Sequence, residues 1–418
     1  MRSRRTSVII PRLNLSRLWV VRATLAACLL FSGSAAAQEQ QERTGSGAPD
    51  DPMPDSQGSV SGQLPADPET EAIPEKKKTR SRRGSFIVAP LPISSPALGT
   101  GIVPVLGYIF PFQKGDTVSP PSVVGVAGLV TNNGSRAFGT YADLFIKQDT
   151  YRITGLYVQG NLNYDLFGIG VVAGNAGHKL PLEQSGHVFR VEALRRLGWD
   201  LFLGVRFWTG SSEIALRSGT DIPPEPEPPP DIGLHTTLRA LGLRLNRDTR
   251  PNRFYPATGT LLEFTSDFFS EGLGSKYSFQ AYRFTFNKYG SLSKNQVLAY
   301  NLFVCGTGGA PPFYGNCIYG TNNELRGYTA GQYLDRYMIA TQLEYRLALP
   351  KRFGVVGFGG VGEVIPGGSQ IFKVSNFLPS GGGGLRFQLS TKYHVNLRAD
   401  IAGGKDSWTW SMGVGEAF

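Results

Sequence analysis

The sequence predicts an all-β protein, a transmembrane antiparallel β-barrel of about 16 strands with a long extracellular loop folded into its lumen. Three observations carry that prediction. From Gly99 to Phe418 the chain breaks into segments of about ten residues with period-two alternation. The composition, with Gly 53, aromatic residues at 11% and charged residues at only 18%, suits strands and turns facing an apolar medium better than a helical or dinucleotide-binding enzyme. No stretch of 18 consecutive apolar residues exists, which rules out a spanning helix and leaves a closed barrel as the spanning architecture.

The chain opens with a processing signal. Arg2, Arg4, Arg5, Arg12, Arg17 and Arg22 form a basic region, Ala23 to Phe31 an apolar segment, and Ala35-Ala36-Ala37 a small-residue cleavage site. Residues 1–37 hold those six arginines and no acid, so their removal takes the net charge from +10 to +4 (10 − 6). The basic pI is therefore no sign of nucleic-acid binding. Leu25-Ala26-Ala27-Cys28 also reads as a lipoprotein box; Arg22 and the apolar residues continuing through Phe31 favour cleavage after Ala37. Residues 38–84 are rich in Pro, Ser, Gly and Gln and cannot form a core, so they read as a disordered periplasmic linker. Its acids come first, and the run Lys76, Lys77, Lys78, Arg80, Arg82, Arg83 follows, either a solvated tail or a contact for anionic lipid head groups.

Residues 85–418 read as the barrel. The expected strands are 99–110, 122–130, 137–147, 150–160, 165–173, 186–197, 199–215 and 234–247, then 259–270, 276–290, 295–306, 333–349, 353–364, 380–390, 392–403 and 407–418. The clearest places Tyr393, Val395, Leu397, Ala399 and Ile401 on one face and His394, Asn396, Arg398 and Asp400 on the other. Connections at 131–136, 161–164, 198, 291–294, 350–352 and 391 are short and are assigned to the periplasm. Those at 111–121, 174–185, 216–233, 307–332 and 365–379 are long and are assigned outside. At the end of the chain Trp408, Trp410, Met412 and Val414 are expected to face lipid. Phe418 reads as the terminal aromatic of barrels inserted by a cellular assembly machinery, and Glu416 falls where that signal prefers an apolar residue, either weakening recognition or placing a charge at the membrane interface.

The most informative stretch is Cys305 to Arg346. Its loop ends in Glu324-Leu325-Arg326-Gly327-Tyr328 and passes into an alternating strand carrying Glu344 and Arg346. A loop of this length without secondary structure is functional or disordered. An arginine placed inside a barrel must find a carboxylate, because an unpaired buried guanidinium is costly, and Glu344 is the candidate. Cys305 and Cys317, close in sequence in an oxidising compartment, could staple the base of the loop; two free thiols are the alternative.

Here the sequence resembles the bacterial surface-antigen superfamily, the BamA/TamA-like outer-membrane assembly factors. The resemblance implies a sixteen-stranded barrel whose loop carries an Arg-Gly-Phe/Tyr tip, matched by Arg326, Gly327 and Tyr328, against acidic residues on the following strands, the first at Glu344. That family's next strand carries Phe-x-Asp-x-Gly, whereas Phe358-Gly359-Gly360-Val361-Gly362 puts glycine at the aspartate position; Glu363 is a less well-placed substitute. Asp248, Pro256 and Gly259 resemble the family's Asp…Pro-x-x-Gly turn. The family's periplasmic polypeptide-transport modules have no counterpart in the linker, since about 45 residues of its composition cannot bury a core.

No catalytic pattern is legible: His178, His187, His235 and His394 lack metal-ligand spacing, and Gly-x-Ser-x-Gly, His-Glu-x-x-His and a phosphate-binding loop are all absent from the sequence. The expectation is a protein that is not an enzyme, takes no cofactor or metal, binds no nucleic acid, and has outer-membrane lipid and the barrel-assembly machinery as partners. Two functional classes remain: an insertion or translocation factor for proteins or lipids, with an unidentified client, and a passive channel or structural surface protein with the same barrel.

Overall fold

The structure, a computed structural model, describes residues 84–418 apart from 96–97, 117, 121, 178, 218–234, 321–323, 367–375, 391–393 and 406–407. The expected leader, Cys28 and all but the last residue of the linker lie outside the described residues, as does the proline-rich stretch 223–230. The strands are β1 (Ser85–Ser95), β2 (Gly99–Phe110), β3 (Ser122–Thr131), β4 (Arg136–Ile146), β5 (Tyr151–Leu166), β6 (Leu180–Gly198), β7 (Leu201–Leu216), β8 (His235–Asp248) and β9 (Gly259–Phe269). They continue with β10 (Phe279–Ser293), β11 (Gln296–Gly309), the two-residue β12 (Cys317–Ile318) and β13 (Leu334–Asp335), then β14 (Tyr337–Ala348), β15 (Phe353–Ile365), β16 (Leu378–Ser390), β17 (Val395–Gly403) and β18 (Trp408–Val414). A short helix, α1 (Gly170–Ala176), follows β5.

All but β12 and β13 form one 16-stranded sheet in chain order, each strand antiparallel to the next. The sheet curls into a nearly closed barrel in which β1 and β18 approach each other; among the described residues no hydrogen-bonded ladder joins them. Alternation sorts side chains to the two faces. Along β14, Tyr337, Leu343 and Tyr345 are exposed, while Met338, Gln342, Glu344 and Arg346 are buried. The exposed residues include Phe138, Val205, Leu241, Leu385, Ile401, Trp408 and Trp410, so the outer face is apolar.

Two expectations about the strands need correction, and their errors compensate in the count. The first strand is Ser85–Ser95, not 99–110. Pro90 and Pro92 argue against a strand interior, but β1 is an edge strand, where a missing N–H costs no ladder bond. Segments 150–160 and 165–173 are not two strands: β5 runs unbroken to Leu166 and α1 follows. Asn161 and Asn163 read as turn residues, yet sit in the ladder, with Asn161 Nδ2 donating to Glu183 Oε1 and Asn163 Nδ2 to the Asn133 carbonyl. A short apolar piece such as Gly170–Ala176 carries no period that separates helix from strand.

The sidedness of the early connections changes accordingly. Connection 111–121 lies at the end of the barrel that holds the tight turns 199–200, 294–295 and 349–352, not at the long-loop end. Turn 132–135 lies at the long-loop end, and 161–164 is not a connection. From β6 onward the assignment of ends agrees with the sequence.

Candidate functional site: the anchored loop 310–336

The loop between β11 and β14 is tied at its base. Cys305, inside β11, is disulfide-bonded to Cys317 in β12, and β12 pairs with β13 across the loop. Beyond that clasp its aromatic residues are buried: Tyr319, Leu325, Tyr328 and Tyr333 pack with Phe303, Met338 and Val364 of β11, β14 and β15. Tyr328 stands edge-on to both Tyr319 and Tyr333. On the loop's other flank Phe313 and Leu334 pack against Leu166, Leu180, Leu182 and Ile214 at the ends of β5, β6 and β7, and Tyr333 Oη donates to Asn175 Oδ1 of α1. Opposite parts of the barrel wall are thus bridged by one loop.

At the tip, the Arg326 guanidinium donates three bonds to the polar face of the sheet: Nη2 to Glu344 Oε2 at 2.5 Å, Nη1 to Asp400 Oδ2 at 2.9 Å and Nε to Gln342 Oε1 at 3.0 Å. Its Cζ lies 3.4 Å from the centroid of the Phe358 ring, a cation–π contact in a site from which solvent is excluded. Gly327 is required by geometry: at φ +105° a side chain is strained, and a Cβ would meet the Gly403 carbonyl at 2.8 Å. Tyr328 Oη donates to the Pro379 carbonyl and accepts from the Lys405 N–H, and Ser380 Oγ donates to the Arg326 carbonyl. Arg326, Gly327, Tyr328 and Glu344 are therefore assembled in one place.

The second acid on Arg326 is not Glu363. It is Asp400 of β17, 74 residues further along the chain. Gly360, at the position of the expected aspartate, leaves the space that Leu325 fills: a Cβ there would meet Leu325 Cδ1 at 2.7 Å and the Thr341 carbonyl at 2.4 Å. Glu363 is buried beside Tyr319 instead. The glycine run 381–384 lies within β16, where a Cβ on Gly384 would collide with Asp400 Oδ1.

The comparisons with known proteins agree with the barrel fold. The family model for the Omp85 superfamily domain matches residues 225–416. Those residues are similar to an Omp85 superfamily domain. No curated protein matches the sequence. Among solved structures, BamA from Haemophilus ducreyi lacking POTRA domains 1-3 is similar at TM-score 0.52 and 13% identity, over 82% of this chain and 74% of that one. CdiB from Escherichia coli is similar at TM-score 0.54 and 11% identity, over 81% and 68%. CdiB from Acinetobacter baumannii gives TM-score 0.50 and 14% identity over 79% of this chain, which spans only 59% of that chain's length. At such identities the likeness is one of fold.

Within the matched residues the Arg326 site continues into a wider ionic network that the sequence did not reveal. Glu344 also accepts from Arg346 Nε at 2.7 Å, and Asp400 pairs with Arg386 Nη1 and, at 3.7 Å, with Arg398. Arg346 reaches two further segments, donating to the Pro256 carbonyl in the connection 249–258 and to the Phe418 carbonyl. Glu416 is correspondingly not at an interface: its side chain is 2% exposed, and it accepts from Arg386 Nε and Asn396 Nδ2, both at 2.7 Å. The ladder of β18 ends at Val414, and residues 415–418 turn to the polar face, where Phe418 lies beside Arg346 and not on the outer face. Asp248 is turn chemistry, as read: its carboxylate holds Arg250 and Arg253.

A second cluster lies on β6–β9, where Glu192 accepts from Arg244 and is ion-paired with Arg190 and Arg206, while Arg244 also reaches Glu263 and Arg206 is ion-paired with Asp267. Each of these arginines lies on an alternating strand, which a sequence marks as inward without showing which acids face it. Among the described residues no three His, Cys, Asp or Glu side chains converge as a cation site.

Proposed function

We propose that this protein is an outer-membrane insertion or translocation factor for lipid or protein, in which the loop 310–336 seats in the lumen as a plug. The observation that carries the reading is the seating of Arg326 on Glu344, Asp400 and Gln342, combined with the packing of Phe313 and Leu334 on the opposite wall. A passive pore gains nothing from a disulfide-clasped loop across its mouth. The apolar outer face fits a bilayer, and the chain's own insertion is assigned to the cellular barrel-assembly machinery, with residues ahead of β1 in the periplasm.

Single-channel conductance of the refolded mature protein tests this, beside a variant lacking 310–332 with Cys305→Ser. Low conductance in the intact protein that rises sharply on deletion supports the plug. High, steady conductance in the intact protein makes it an open channel and overturns the proposal.

A further inference from the structure

The seam between β1 and β18 has an unusual edge. Pro90 lies directly opposite Pro104 of β2, and neither has an N–H. In an antiparallel ladder, opposite residues either exchange both their N–H bonds or point them away from each other. Two prolines can face each other only in the second way, so position 90 directs its missing donor away from β2, toward β18. Pro92 has the same parity and does the same. Pro104 independently supports this phase, because its own missing donor then points at β3, and the β2–β3 register lapses between Ile102 and Val105. The middle of the β1 edge therefore presents two consecutive seam positions that cannot donate.

The walls inside the barrel differ on the two sides of this seam. On the β1 side Leu91 and Ile93 pack with Val103, Leu129 and Leu162, an apolar lining where a membrane barrel ordinarily carries polar groups. On the β18 side the lining is ionic: Arg326, Arg346, Arg386 and Arg398 stand against Glu344, Asp400 and Glu416, and Arg346 also binds a Phe418 oxygen. Outside, Phe86 and Val88 of β1 and Trp408 and Trp410 of β18 are exposed.

We propose that the seam admits a phospholipid and refuses a polypeptide strand. Strand addition draws its affinity from main-chain hydrogen bonds, which Pro90 and Pro92 remove from the β1 edge. A lipid requires none of those bonds. Its acyl chains fit the apolar β1–β5 lining, and its phosphate is of the chemistry that the guanidinium groups of Arg386 and Arg398 on the opposite flank recognise. This rests on the translocation reading above and names its substrate class.

The test uses the full mature protein in phosphatidylethanolamine–phosphatidylglycerol vesicles carrying a fluorescent phosphatidylglycerol, with dithionite reporting its movement between leaflets. The intact protein is expected to scramble the label. The variant Pro90→Thr with Pro92→Thr, its fold checked by heat-modifiability, regains two seam donors. Two added hydrogen bonds are expected to slow scrambling about ten-fold. A peptide spanning 408–414, added in excess, is expected to leave scrambling by the intact protein unchanged. Three results overturn the inference: no scrambling above protein-free vesicles, equal rates in the double variant, or inhibition of the intact protein by the peptide. Conductance reads the plug separately, so a plugged barrel that scrambles nothing sinks the lipid inference alone.

Discussion

Replacing Arg326 by alanine removes the one side chain that ties the loop tip to three strand residues at once. Three bonds are lost, two of them to carboxylates, together with the stacking on Phe358. Breaking a buried ion pair typically costs about 3–5 kcal/mol because the remaining charge is stranded. Here neither acid is stranded: Glu344 keeps Arg346 at 2.7 Å, and Asp400 keeps Arg386. The expected loss therefore sits at the low end, about 3 kcal/mol. Glu344→Gln should cost more, about 4–5 kcal/mol, since the carboxylate faces Arg326, Arg346 and Arg386 together and its loss leaves those cations in excess. Arg326→Lys keeps the charge but cannot reproduce the planar fork, and falls between alanine and the native residue. The assay is urea unfolding of the refolded barrel followed by tryptophan fluorescence, with heat-modifiability on gels beside it. A change below about 0.5 kcal/mol in Arg326→Ala, or lysine performing as well as arginine, would refute the argument that the loop is held by this fork.

Three further outcomes are expected. Opening the Cys305–Cys317 bond, which spans 12 residues, by Cys305→Ser with Cys317→Ser should lower the unfolding free energy by about 3 kcal/mol and expose the loop to protease; resistance equal to the native protein counts against the clasp. Gly360→Asp should destabilise the barrel despite supplying the acid that the family resemblance leads one to expect, because the added side chain meets Leu325 and the Thr341 carbonyl; unchanged or raised stability in the same urea assay contradicts that packing account. Burial acts to raise the pKa of Asp116, but bonds from Ser119, Gln148 and Val118 outweigh it and lower it to about 2. Its contribution is thus complete above the ordinary value of 3.8 and lost as pH falls through about 2. Hydrogen exchange at the Gln148 amide should accelerate over that window in the native protein and not in Asp116→Asn.

The sequence by itself determined the fold class, the polar and apolar faces of β14 and β17, and the residues of the loop tip. These are local properties: alternation of period two in β14 and β17, turn residues between strands, and an arginine on a glycine hinge. What it left open is whatever depends on who stands opposite whom. Asp400 meets Arg326 across 74 residues because β17 curves back beneath the loop, a proximity no spacing encodes. β1 looked unlike a strand because its prolines are disallowed in a sheet interior and allowed only at an edge, and its place at the edge is a fact of topology. Glu416 and Phe418 looked like residues of an ordinary last strand, yet the ladder ends at Val414 and Arg386 and Arg346 draw the segment to the polar face. The ionic network, the apolar lining beside the seam and the proline-blunted edge exist only once the sheet has curled, because each is made of residues from strands distant in the chain.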